Sequence, residues 1–365
     1  MERKELAIVT MSYGMNYGNK LQNYAMQVIY EAMGVSVETV RLKPIVDYTS
    51  TLKEKLNDFG SKIKKKALCK VYKSNIKKRK ECFEDFNNNY LNFSKQIYPM
   101  NAYDELNNEK YEIYSVGSDQ VWNSYFDEFS EVFLLSCLDE NKIRISYAAS
   151  FGCESINPIY KEKFRNELKK FKAISVRENE GKKLIESLGN LSVEIVLDPT
   201  LLLGRNEWDA LINTKKFSDK KDDYILTYFL GEMESDMKRC IKKYAKEKRL
   251  KIVELNKIST NYYSVGPIEF VSLIKNAKMV FTDSFHACCF SIIYGKQFWV
   301  VTRNSVKKSM NTRINTLLKN LDLESQWWSQ ETNLEEELNF ENAYKKLEQL
   351  KKRSFMFLKE AIDME

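Results

Sequence analysis

Apolar residues come in short blocks along the chain, and each block runs into a cluster of Gly, Asn, Asp or Ser. "ELAIVTM" (5–11) is one such block, too short for a helix and built like a buried strand. It leads through "SYGMNYGN" into a helical pattern with apolar residues at 21, 25, 28, 29 and 32, closed by Gly34. "VSVETVRL" then alternates as a second strand. Strand, loop, helix and strand in that order predict a parallel, doubly wound unit.

The pattern resumes after residue 95. "YEIYSVGSDQVWN" and "IRISYAASFG" each read as a strand running into a loop, and "FKAISVRENEGKKLIESLG" reads as strand, turn and helix. "VEIVLDPTLLL" is a strand ended by Asp198-Pro199. A second series runs from "DDYILTYFLG" (222–231) through "LKIVELN" (250–256), a helix near Pro267, "AKMVFTD" (277–283), another helix and "KQFWVVTR" (296–303). The two series meet near residues 198–222. They predict an α/β protein of two Rossmann-like domains facing across a cleft, 1–205 and 206–330. A basic helical insertion is expected at about 51–95, and a C-terminal helix, 331–365, that packs back on the first domain.

Composition narrows the chemistry. The length of 365 residues suits two domains. No run of 18 apolar residues occurs, so no membrane span is expected, and the first apolar block is too short for a secretory signal. Seven scattered cysteines without C-x-x-C fit a reducing cytoplasm rather than a disulfide framework or zinc cluster. A single histidine, His286, excludes H-E-x-x-H sites and His-rich metal cages. Residues 51–90 hold 12 Lys or Arg against 5 Asp or Glu, which accounts for the whole net charge of +7. That segment reads first as a solvated basic helical region. Its second reading is a docking surface for an anionic membrane, with Leu52, Ile63, Leu68, Val71, Tyr72 and Ile76 as an apolar stripe. No nucleic-acid-binding signature accompanies it, and no nucleic acid is expected as partner.

The polar clusters fall at strand ends, where open parallel sheets bind ligands. Asn19 and Gln22 open the first helix, where backbone N–H groups and the helix dipole favour an anion. Ser118, Asp119 and Gln120 follow the strand at 111–116; Asp119 has the chemistry to accept a proton or bind sugar hydroxyls. Arg177, Arg303 and Arg313 offer guanidinium groups for a carboxylate or phosphate, though each also has structural partners available, Glu178 in the case of Arg177. Asp198, before a proline, reads as a turn residue. In "TDSFHACCFSIIYG", Asp283 or Ser284 is the N-cap and Gly295 the far end, so His286 lies in the first helical turn. A lone histidine is usually packing or capping. Here the positive helix end disfavours imidazolium and a bound anion favours it, a balance that suits a general acid.

"YGNKLQNYA", "GSDQVWN", "SYAASFG", "SVRE", "LDPTLLL", "GPIEF", "TDSFHACCFSIIYGKQF" and "MNTRINTLL" occur in that order. The series resembles the polysaccharide pyruvyl transferase family over roughly residues 5–325. The resemblance implies a glycosyltransferase-B-like fold and transfer of the pyruvyl unit of phosphoenolpyruvate onto two hydroxyls of a sugar, giving a cyclic ketal and phosphate. Phosphoenolpyruvate would be the donor substrate, with no metal and no cofactor. The acceptor would belong to a capsule, exopolysaccharide or cell-wall glycan, commonly lipid-linked at the cytoplasmic face of the inner membrane. By motif, His286 would be general acid or phosphate ligand and Arg177 the anion clamp; Asp119 as base on an acceptor hydroxyl is a reading of this sequence alone. Many relatives carry Arg where this chain has Ser284, which points to Arg303, Arg313 or Lys20 as the replacement cation. The competing readings are a nucleotide-sugar glycosyltransferase of the same architecture and a non-catalytic scaffold acting through residues 51–90.

Overall fold

The structure is a computed structural model that describes residues 4–44, 71–126, 129–215, 223–302 and 311–363. The chain divides into two compact units. The first comprises Met1–Leu68, Asn87–Leu202 and Gln349–Glu365, the second Cys69–Phe86 and Leu203–Glu348. Residues 69–86, read from the sequence as part of an insertion in the first domain, thus group with the second unit.

The first unit is built on β1 (Glu5–Val9), β2 (Ser36–Lys43), β3 (Phe93–Pro99), β4 (Ile113–Val116), β5 (Ile143–Ala149), β6 (Ala173–Val176) and β7 (Glu194–Ile195). They form one sheet in the order β3-β2-β1-β4-β5-β6-β7, every neighbouring pair parallel. Leu6, Ala7, Ile8 and Val9 are all buried, as a central parallel strand covered on both faces requires. The order reverses direction between β1 and β4, which makes their carboxyl ends the switch point of the sheet. Helix Tyr17–Ala32 follows β1, and its Tyr30 hydroxyl meets Ser115 Oγ of β4 at 2.8 Å, satisfying a buried phenol. β3 begins at Phe93, inside the stretch expected to be helical; Lys95, Gln96 and Ile97 are exposed on this edge strand, so apolar alternation is missing. The last part of helix Glu341–Ile362 is fastened here. Leu197 N donates to Ser354 Oγ at 3.0 Å, and Lys4 Nζ donates to the carbonyl of Ile362 at 3.1 Å.

The second unit carries β8 (Tyr224–Tyr228), β9 (Lys251–Glu254), β10 (Met279–Thr282) and β11 (Gln297–Val300) in the order β11-β10-β8-β9, all parallel. Its switch point lies between β8 and β10. Helix Pro267–Asn276 starts with proline in its first turn, and the Glu269 carboxylate accepts from Gly266 N at 3.1 Å. Helix Phe285–Tyr294 is buried along its whole length and ends at Gly295, whose φ of 61° is left-handed. A Cβ there would stand 2.8 Å from the Tyr344 hydroxyl, so glycine is required twice over.

Helix Lys73–Tyr90 buries Arg79, Phe83 and Phe86, and its residues up to Phe86 group with the second unit. Arg79 Nη1 donates to the carbonyl of Tyr263 at 2.8 Å, and its guanidinium lies over the Tyr263 ring. Of the stripe expected for a membrane, Leu52, Ile63 and Leu68 lie outside the described residues, Val71 is 72% exposed, and Tyr72 and Ile76 are half-buried. Lys77 and Lys80 on the exposed face pair with Glu81 and Glu84 one turn on. Among the described residues no helix is long and apolar enough to cross a membrane.

Candidate functional site

In the first unit the polar motifs converge at the carboxyl ends of β1, β4, β5 and β6. Helix Tyr17–Ala32 starts inside the stretch read as a glycine–asparagine loop. Its cap is Asn16, whose side-chain oxygen accepts from Gly18 N at 2.9 Å and Asn19 N at 3.4 Å. Those are the N–H groups expected to face an anion, and Asn16 occupies them. Asn19 and Gln22, expected to bind substrate, tie the loop down: Asn19 Nδ2 donates to the carbonyl of Met11 at 3.1 Å, and Gln22 Nε2 to Thr10 Oγ1 at 3.2 Å. Gln22 Oε1 accepts from Ser118 N at 3.4 Å, joining the ends of β1 and β4. Lys20, 1% exposed, turns its ammonium back onto the carbonyl of Ser12. Burial pulls its pKa down to about 7.

The expected anion clamp, Arg177, is engaged by the protein. Its Nη1 lies 2.5 Å from Asp198 Oδ2, and its Nη2 lies 3.9 Å from Asp119 Oδ1. Burial opposes its charge, but Asp198, Asp119 and Glu178 outweigh burial and raise its pKa. Asp198 also accepts from Ser118 Oγ at 3.2 Å and from Thr200 N at 3.0 Å, so the turn read from Asp-Pro carries an ion pair as well. Glu178, the partner that the sequence offers Arg177, adds negative charge beside it but directs its hydrogen bonds elsewhere. Its Oε1 accepts from Ser150 Oγ, Phe151 N and Gly152 N at 3.0, 2.8 and 3.1 Å, holding the loop after β5. Asp119, buried, accepts from Gln120 N at 2.8 Å, and its carbonyl accepts from Ser150 N. Gln120 is 7% exposed and its amide nitrogen, packed against Gly152, has no hydrogen-bond partner among the described residues. The ends of β4, β5 and β6 are thereby locked into one hydrogen-bonded layer.

In the second unit the switch point is closed by Asp283. Its two carboxylate oxygens accept from Leu230 N at 2.7 Å and Gly231 N at 2.8 Å, so the loop after β8 is held to the loop after β10. The cap of helix Phe285–Tyr294 is Ser284, which accepts from Ala287 N at 3.5 Å. Of the two cap candidates the chain uses the serine, and the aspartate is a bracket. His286 is the second residue of the helix, 7% exposed, its ring edge-on to Phe285 at 5.3 Å. The guanidinium of Arg313, at the start of helix Thr312–Asn320, lies 5.8 Å from the same Phe285 ring. Arg313 and His286 therefore flank one aromatic side chain at this helix start. Arg303 lies outside the described residues. Among the described residues no three His, Cys, Asp or Glu side chains are grouped to hold a metal ion.

Asn16 carries the cap that the sequence reading gave to its neighbours, and Glu178 holds a loop as well as standing beside Arg177. An asparagine directly before the helix was the available signal for Asn16. Nothing local marks Glu178, whose partners lie in the loop after β5.

A family model described as polysaccharide pyruvyl transferase matches residues 16–305. No curated protein matches the chain. Among solved structures, a Listeria monocytogenes protein assigned as a UDP-N-acetylglucosamine 2-epimerase is similar with TM-score 0.50 and 11% identity, over 99% of this chain and 91% of that one. An uncharacterised Klebsiella pneumoniae protein aligns with TM-score 0.43 and 15% identity over 85% and 87% of the two chains. The UDP-GlcNAc 2-epimerase of Neisseria meningitidis gives 0.45 and 11% over 97% and 99%. The Listeria likeness is one of fold alone, α/β with two Rossmann-like units of glycosyltransferase-B-like type.

Proposed function

The chain belongs to the polysaccharide pyruvyl transferase family, and from that premise we propose that it transfers the pyruvyl unit of phosphoenolpyruvate to two hydroxyls of a glycan precursor, releasing phosphate. The observation that carries this reading is the family match itself, which runs from the Asn16 cap through the helix that bears the chain's single histidine.

The reaction sets definite demands. The methylene carbon of phosphoenolpyruvate must gain a proton before its C2 becomes electrophilic. One sugar hydroxyl then adds to C2 and loses its proton, phosphate departs with the C2–O bond electrons, and the second hydroxyl closes the ketal with loss of its own proton. The acid in this reading is His286, held in the first turn of a buried helix with its ring edge-on to Phe285. Arg313, whose guanidinium lies over the same Phe285 ring, is the cation for the donor that Ser284 cannot supply. In the first unit Asp119 is the base for an acceptor hydroxyl, while Arg177, engaged by Asp198, keeps the strand ends in place.

The test is phosphate release from phosphoenolpyruvate in the presence of candidate lipid-linked sugars, followed by detection of a carboxylate-bearing product. Acceptor-dependent phosphate release is expected. Turnover of a sugar nucleotide with phosphoenolpyruvate left intact would replace this reading with the glycosyltransferase one.

A further inference from the structure

Lys20 has the features of a cation whose partner is missing from the polypeptide. It sits in the first turn of helix Tyr17–Ala32, at the β1/β4 switch point, where the helix dipole already disfavours positive charge. The side chain is 1% exposed, and no carboxylate pairs with it among the described residues. Among the described residues its one acceptor is the carbonyl of Ser12. The polar side chains placed around this strand end, Thr10, Asn16, Asn19, Gln22 and Ser118, are uncharged. The carboxylates of Asp119, Asp198 and Glu178 at the neighbouring strand ends are held by Gln120 N, Arg177 and the loop after β5. Burial is the single cause of the depressed lysine pKa, with none of these acids contributing.

A fully buried ammonium without a counter-ion is expensive, and a buried leucine or methionine would fill the same place at no such cost. Gln120, after β4, adds a donor close in sequence to that strand end: its buried amide nitrogen packs against Gly152 and has no acceptor among the described residues.

We infer that Lys20 is an anion ligand of the first unit, an amine that takes up a proton from solvent when a phosphate or carboxylate group of the substrate arrives beside it. The inference rests on the proposed function only for naming phosphoenolpyruvate as the source of that anion.

The test is titration calorimetry of the intact chain with sulfate, a dianion with no titration of its own near neutrality, and in parallel with pyruvate. Each titration is run near pH 8 in two buffers of different ionisation enthalpy, so that proton uptake is read directly. Uptake approaching about one proton is expected with whichever ion fills the seat, since a base of pKa about 7 is mostly neutral there. Sulfate against pyruvate separates a phosphate seat from a carboxylate seat. Lys20→Met should lose the uptake and at least about tenfold in affinity, the scale of one charged contact. Lys20→Arg, permanently charged, should bind the ion without uptake. Binding of both ions with no proton uptake by the wild type overturns the inference, as does uptake that survives in either variant. Lys20-dependent uptake in a chain that releases no phosphate from phosphoenolpyruvate would uphold the anion ligand and sink the pyruvyl transfer reading.

Discussion

Arg177 and Asp198 form an ion pair closed to water, with Nη1 and Oδ2 2.5 Å apart and side-chain exposures of 1% and 0%. Two residues that the sequence offers separately, one as a substrate clamp and one as a turn, are a single structural device. The pair stands between the ends of β4 and β6, because Asp198 also takes the Ser118 hydroxyl and Arg177 N donates to the carbonyl of Ala149. Charge here orders strand ends.

Asp198→Ala is expected to destabilise the chain by about 3–5 kcal/mol, because it leaves a guanidinium buried beside too little negative charge. The unfolding midpoint in urea measures it. The paired replacement Arg177→Met with Asp198→Leu should recover much of that loss, since removing both charges is far cheaper than removing one. A single variant as stable as the wild type would show that the pair is not what holds these strands.

His286→Ala is expected to cut acceptor-dependent phosphate release by about a hundredfold or more, the usual scale for a lost general acid. The Michaelis constant for phosphoenolpyruvate should change far less. Wild-type turnover in this variant would remove the imidazole from the chemistry and leave it a packing residue against Phe285.

Asp283→Asn tests the bracket in the second unit. The carboxylate accepts from both Leu230 N and Gly231 N, whereas an amide keeps only one acceptor oxygen. The N–H left over costs about 1–3 kcal/mol if it stays buried, so the loop after β8 should open locally. Amide hydrogen exchange at Leu230 and Gly231 is expected to quicken, with exchange in the strands unchanged. Protection equal to the wild type at both amides would contradict the bracket.

How much of this was legible depended on whether the signal was local. β1, β8 and β10 read directly, because a strand covered on both faces is an unbroken apolar run. β3 did not, since its exposed Lys95 and Gln96 carry no alternation. At the sites, residue types were readable but partners were not. Arg177 and Glu178 are adjacent, which invited pairing; yet successive residues leaving a strand point to opposite sides. Glu178 accordingly serves the loop after β5, while Arg177 reaches a partner 21 residues away. Asp283 and Ser284 look interchangeable as caps, and only the position of Leu230 and Gly231 separates their roles.

The pH dependence of stability follows from Lys20. In the unfolded chain its amine titrates near the ordinary lysine value of 10.5, and in the folded chain near 7. Between those values the unfolded state binds more protons than the folded one, so stability contributed by this group rises as pH rises from about 7 toward about 10.5. Below about 7 both states are protonated, and the full penalty of the buried charge applies at a level that no longer changes. Each unit of displacement corresponds to about 1.4 kcal/mol, so the rise amounts to several kcal/mol at its limit. Lys20→Met, which carries no proton in either state, should be more stable than the wild type at pH 7, and the gap should narrow steadily on going to pH 9. The comparison is made as unfolding midpoints in sulfate- and phosphate-free buffer. A gap that stays constant across that range would mean the amine is not held at a depressed pKa.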